Sequence, residues 1–382
     1  MKHRDRVALA LAHEEPDRCP MQISFTPEFA SRLRKEIHGK IGKTHNPHGG
    51  GNTYELERYL DEDFLLTSVG WANNYYQTFE PRAEYVDEWG VGWKAIPYET
   101  PLGAGIYTEF ISHPLANEKA IDNYTPPSPE NPRLYSDAQT LIENYKDEYW
   151  IVGVTVTTIW ETAWALRGLE KMMMDLIENP QLAGRILDIP YNYHLSAATK
   201  LVEMGVDMIW LGDDVGAQQG MIMSPDMWRQ ILKPRMSTFI RTLKEINPAV
   251  KIAYHSCGSI AAIVQDLVDI GVDVLNPIQP ACLNLDHLKE AYGQKLSFWG
   301  SIDEQQTLPF GSPRDVTQEV EDRIRVLGKN GGLILGPTHH VQLDTPMENF
   351  WAMVHAITNP DKSTANCNRN ASHSQTKKGK IM

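Results

Sequence analysis

The chain has 382 residues, 42% of them hydrophobic, with 36 Lys and Arg against 49 Asp and Glu and a net charge of -13. That length accommodates one large α/β barrel or up to three ordinary domains, and the negative field argues against nucleic acid or an anionic membrane as a partner. No apolar run of about 18 to 20 residues is available to span a bilayer, the opening MKHRDRVALALAHEEPDR has no signal-peptide core, and Cys19, Cys257, Cys282 and Cys367 are too scattered for a disulfide framework, so a soluble cytoplasmic protein with reduced thiols is expected.

In chain order, CPMQISF (19–25) and DFLLTSV (63–69) are the first candidate strands. The stretch from 40 to 147 is otherwise less regular, with the Gly-rich HNPHGGGN, the aromatics Trp71, Tyr75, Tyr76, Trp89 and Trp93, and the Pro-rich TPPSPENP. It reads as an insertion that folds over the barrel mouth as a lid. From about 148 a strand and helix cycle sets in, with WIVGVTV, GVDMIWLGDD, VKIAYHSCG, GVDVLNPIQP, LSFWGSID and GGLILGPTHH as strands of the kind buried on both faces. Helix-patterned segments such as SPDMWRQILKPRMSTFIRTLKEI and IAAIVQDLVDI separate them, which implies a parallel sheet. MGVDMIW (204–210) and IGVDVLN (270–276) are near copies, each with a Gly that closes a helix before a strand opens. Six strands here and two earlier make eight, the number that closes a (β/α)8 TIM barrel over residues 1–360 as a single domain. Residues 361–382 are polar and nearly free of apolar side chains, so a disordered, dispensable tail is expected there.

A barrel of this type builds its active site at the C-terminal ends of its strands, where polar residues interrupt the apolar runs. Those residues are Glu161, Asp213, Asp214, His255, Cys257, Asn276, Gln279, Asp303, His339, His340 and Gln342. His255 and Cys257 stand at i and i+2 of an extended strand and point to one side, so imidazole and thiolate can grip one ion together. That donor pair suits zinc, with His339 as the third ligand and an open fourth position. A small core thiol beside a hydrogen-bonded imidazole is the alternative. A ligand set with Cys282 in place of His339 also stays open. Asp213 and Asp214 are adjacent and so face opposite ways; one is expected to face substrate and the other to cap a helix or loop. Glu161, Asp213, Asp214 and Asp303 are the candidate catalytic acids, and Gln218, Asn276, Gln279, His340 and Gln342 the candidate substrate contacts.

Several longer stretches carry a resemblance. RDRVALALAHEEPDRCP, ALRGLEKMMMDLIENP, GDDVGAQQGMIMSPDMWRQILKPR, HSCGSI, DLVDIGVDVLNPIQP, FWGSIDEQQTLPFGSPRDV and HHVQLDTPMEN follow the order of segments in the uroporphyrinogen decarboxylase superfamily, which the chain resembles over nearly all of residues 1–358. The resemblance implies one of two chemistries. The decarboxylases need no metal and carry an arginine-rich signature near the N-terminus; here the corresponding PMQISFTPEF has no arginine, so a polycarboxylate substrate would lack its clamp. The other branch is similar to corrinoid:coenzyme M methyltransferases, in which His-x-Cys and a distant Cys bind zinc, and zinc activates a thiol that accepts a methyl group from methylcobamide. His255 and Cys257 match; the third position falls on His339, which leaves one thiolate fewer and matches the decarboxylase branch. The expectation is therefore a zinc-dependent methyltransferase acting on a small-molecule acceptor, with a methyl-corrinoid on a partner protein as donor. Its rivals are a decarboxylase of a porphyrinogen or smaller acid, and a non-catalytic corrinoid- or metal-binding barrel.

Overall fold

The β-branched runs become strands that are buried along nearly their whole length, and in the computed structural model, which describes residues 1–38 and 45–360, seven of them form one curled parallel sheet. They are β1 Phe64–Ser68, β2 Trp150–Val156, β3 Met208–Gly212, β4 Lys251–His255, β5 Val274–Asn276, β6 Ser297–Trp299 and β7 Leu333–Ile334. Spatial order equals chain order, with no reversal of direction, which is the singly wound arrangement of barrels and not that of open doubly wound sheets.

The second expected N-terminal strand is β1. The first, CPMQISF, is not a continuous strand: Met21 and Phe25 make isolated parallel bridges to Leu335 and Val341. The reason lies on its other side, where carboxylates take the place of strand carbonyls: Met21 N–H donates to Asp63 Oδ2 at 2.7 Å and Ile23 N–H to Glu62 Oε2 at 3.0 Å. Both edges of the seven-stranded sheet are thus hydrogen-bonded to this one extended segment.

The paired sequence echo has a physical meaning. Asp63, Asp207 and Asp273 each stand one residue before a strand, and each N–H donates to the carbonyl of Met21, Ile151 or Ile252, all at 2.9 Å. The N–H of that same partner returns to the aspartate's carboxylate, at 2.7, 2.9 and 2.8 Å. The aspartate's carbonyl then accepts from the first residue of the following strand, Trp150, Lys251 or Ser297. A cation seals each clamp: Arg6 and Arg18 on Asp63, Arg4 on Asp207, Lys244 on Asp273. Gly205 (φ 98°) and Gly271 (φ 95°) close the preceding helices in the left-handed region that favours glycine.

Alternation along the strands splits the core in two. Phe64, Leu66, Val152, Val154, Trp210 and Ala253 share an inner cluster inside the curl. Leu65, Ile151, Ile209, Leu211, Ile252 and Tyr254 face the helices. The region read as irregular holds, besides β1, a three-stranded antiparallel sheet of Glu84–Val86, Gly92–Thr100 and Gly103–Ser112 and the helix Ser136–Tyr145. Its tryptophans are core: Trp71, Trp89 and Trp93 are fully buried, and Trp93 packs against Phe110 with ring centroids 4.4 Å apart. The expected tail from 361, and residues 40–44 of the expected lid, lie outside the described residues. Among the described residues no helix is long and apolar enough to cross a membrane.

Candidate metal centre and its cavity

Period-two alternation carries the inner face of the sheet upward into the site. Ala253 points inward, so His255 does as well; Val274 points inward, and Asn276, in register with His255, follows it. Asn276 Nδ2 donates to the Trp299 carbonyl at 3.3 Å, which turns its Oδ1 toward His255 Nδ1, 2.6 Å away. His255 Nδ1 therefore carries the proton and Nε2 is left free to bind a cation, the usual arrangement behind a ligating histidine. Cys257 Sγ lies 3.6 Å from that Nε2. His339, beyond the end of β7, completes the group: one donor atom from each of His255, Cys257 and His339 lies within 4.8 Å of the others.

The loop that carries the pair is held from three sides. Cys257 N–H donates to Asp214 Oδ1 at 2.7 Å, Gly258 N–H to Gln279 Oε1, and Ser256 Oγ accepts from Val215 N–H at 3.1 Å. Gly212, paired with His255, has φ 142°, and a Cβ there would stand 2.0 Å from the His255 carbonyl oxygen. Only glycine fits.

Burial pushes the Cys257 thiol well up, with Asp214, Glu161 and Glu304 adding to the shift. Burial and then His255 bring His339 down to about 4, so its imidazole is neutral. Burial, Asp214 and Asp213 hold Glu161 well above the usual carboxylate range. Two imidazoles and a thiol set among carboxylates form a donor set that fits zinc, whose charge would favour the thiolate.

A cavity of ≈ 270 Å³ opens beside these ligands. Of the residues expected from sequence, Glu161, Asp214, His255, Asn276, His339 and His340 line it. Asp213 does not; on the outward face, its carboxylate accepts from Ile159 and Glu161 N–H at 3.0 Å and so caps the helix Trp160–Arg167. Asp213→Ala should lower stability by about 1–2 kcal/mol in urea denaturation while metal content stays unchanged. Gln279 braces the ligand loop, and Asp303 caps the turn at Gln305 and Gln306. Gln218 and Gln342 are exposed, and Cys282 is not part of the ligand group among the described residues.

Sequence reasoning did not assign Gln22, Ser24, His48, Tyr75, Tyr76 and Thr157 to this cavity. Gln22 and Ser24 alternate with the buried Met21, Ile23 and Phe25, a period-two signal that could have found them. Thr157 follows β2 with φ 59°, a strained setting for a β-branched residue and one that no sequence pattern marks. Tyr75 is held at the wall by Trp93, 5.2 Å away edge to face.

A curled parallel sheet with metal-competent side chains at the C-terminal ends of its strands defines a barrel-like α/β protein with its site at the strand mouth. The chain belongs to the uroporphyrinogen decarboxylase (URO-D) family, whose model matches residues 99–360. It is similar to a methylcobamide:CoM methyltransferase of Methanosarcina barkeri, 28% identical over 191 residues, which are 50% of this chain and 53% of that relative. The chain thus spans about half the length of the curated relatives it matches at this level. A uroporphyrinogen decarboxylase of Pseudoalteromonas atlantica is 22% identical over 278 residues, 67% of this chain and 74% of the relative. Among solved structures, a methyltransferase from Methanosarcina mazei shares the fold, with a TM-score of 0.65 at 19% identity over 94% of this chain and 98% of that one.

Proposed function

We propose that the protein is a methyltransferase that moves a methyl group from a methyl-corrinoid, carried on a partner protein, to a small thiol, with zinc held by His255, Cys257 and His339 in a (β/α)8 barrel completed by residues 20–26. The observation that carries this reading is the meeting of those three donors, from two separate strand ends, beside one cavity. Zinc bound there supplies the Lewis acidity that makes a thiol a thiolate at neutral pH. The chain's own residues do the rest. Asn276 fixes the tautomer of His255. Asp214, with Oδ1 3.5 Å from His255 Nε2, is placed to take up the proton that the thiol gives up. Tyr75, Tyr76 and His48 wall the cavity and act as its cover, limiting water. The relative named as a methylcobamide:CoM methyltransferase supports the same chemistry.

The test is direct. Zinc-loaded protein, given methylcobalamin and a thiol, should bleach the methylcobalamin spectrum only when all three are present, and absence of thiol-dependent change would sink the reading. A second reading, decarboxylation, is favoured by the longer match to a uroporphyrinogen decarboxylase. Against it, the segment PMQISFTPEF brings Gln22 and Ser24, not a cation, to the cavity wall. Uroporphyrinogen offered to metal-free protein should release no carbon dioxide; steady turnover measured as gas evolution would put the decarboxylase reading in its place.

A further inference from the structure

We propose that the acceptor thiol carries an uncharged, hydrogen-bonding head group, and that Gln22, supported by Ser24, is the residue that binds it. The inference rests on the thiol-acceptor reading and names the kind of thiol.

The observations concern charge and unfilled hydrogen bonds. Gln22 and Ser24 sit on the segment that joins the two sheet edges, and both line the cavity although they are only 6% and 7% exposed. Gln22 Nε2 donates to Ser24 Oγ at 3.0 Å, which fixes the amide's orientation. That bond uses one of its two N–H donors. Among the described residues nothing donates to its carboxamide oxygen. His340, also on the wall, has a buried Nδ1 with no partner among them. The buried His340 Nδ1 is costly unless a ligand satisfies it, and Gln22's oxygen and spare N–H are left open to a ligand that displaces water from the wall. A head group that both donates and accepts, such as an amide or an alcohol, can meet both the spare N–H and the oxygen of the carboxamide; a carboxylate can only accept, so it would take the spare N–H and leave the oxygen without a donor.

Charge points the same way. Among the described residues that line the cavity, Glu161 and Asp214 are acids and none is Lys or Arg. An acidic head group entering here would lose its hydration and find no guanidinium or ammonium partner on the wall.

The experiment is a titration by calorimetry of the full-length, zinc-loaded protein with two thiols on one skeleton, 3-mercaptopropionamide and 3-mercaptopropionate. The amide should bind at least about tenfold more tightly than the acid. Gln22→Leu, with its fold checked by circular dichroism, should weaken the amide about tenfold and leave the acid unchanged, and Gln22→Arg should reverse the preference. Equal or tighter binding of the acid by the native chain needs no variant and overturns the inference while the thiol reading stands. An amide affinity unmoved by Gln22→Leu also overturns it. If neither thiol binds, the thiol-acceptor reading itself fails and takes this inference with it.

Discussion

Protein carrying Cys257→Ala should leave purification with less than about a tenth of a zinc ion per chain, against about one in the native chain, measured by plasma mass spectrometry. A three-ligand site that loses its thiolate keeps two imidazoles, too few to hold the ion against dilution and chelation. His339→Ala should do the same. Asn276→Ala, which touches no metal but frees His255 to turn or to change tautomer, should weaken zinc about 10- to 100-fold. In all three the fold should survive, because the ligands stand at the mouth, above the inner core that joins the strands. Cys282→Ala should leave zinc in place. Zinc that persists without His339 and departs without Cys282 would show the ligand set to be wrong, and a native chain that never loads zinc would shift the weight to metal-free decarboxylation.

Asp63→Ala should cost about 3–5 kcal/mol in equilibrium urea denaturation, the largest loss expected from any surface-remote carboxylate here. Asp63 is fully buried and receives Arg6 Nη1 at 2.6 Å, Arg18 Nη1 at 2.7 Å, His3 Nδ1 at 2.9 Å and the Met21 N–H at 2.7 Å. Removing it leaves two guanidinium groups half-matched and frees the segment that joins the sheet edges. Burial alone would raise its pKa; the hydrogen bond from His3 and the charges of Arg18 and Arg6 outweigh burial and hold it below the ordinary carboxylate range. A carboxylate depressed in the folded state contributes stability above its unfolded value of about 3.9 and loses it as pH falls through the folded value. Acid unfolding of the native chain should therefore steepen below about pH 4, and Asp63→Asn should flatten that limb.

The late strands and the placing of His255 and Cys257 at one strand end were legible in the sequence for one reason: alternation is local. Once Ala253 is placed inward, His255 and Cys257 must follow, and no distant contact can alter that. The choice between Asp213 and Asp214 needed one more fact, where the helix Trp160–Arg167 begins, and that comes from a strand away. Tyr75 was expected in a lid over the mouth but not on the cavity wall itself, because its position depends on the Trp71 and Trp93 cluster, and Trp93 belongs to an antiparallel sheet whose Gly- and Pro-broken strands hide their period. The missing eighth ladder was hidden for a different reason. Nothing in MQISF announces that Asp63 and Glu62 will occupy its amides.

Gly212 ties the sheet to the ligand loop as a tongue fits a groove. With no side chain between them, the end of β3 lies directly against the backbone of His255, leaving no room for a side chain at Gly212. Reshaping the spacing between His255 and Cys257 would mean rebuilding two strands. Reshaping what enters beside them would not, since Tyr75, Tyr76 and His48 reach the cavity from outside those two strands. Sequence change can therefore remodel the outer wall of the cavity while the corner formed by His255 and Cys257 stays the same.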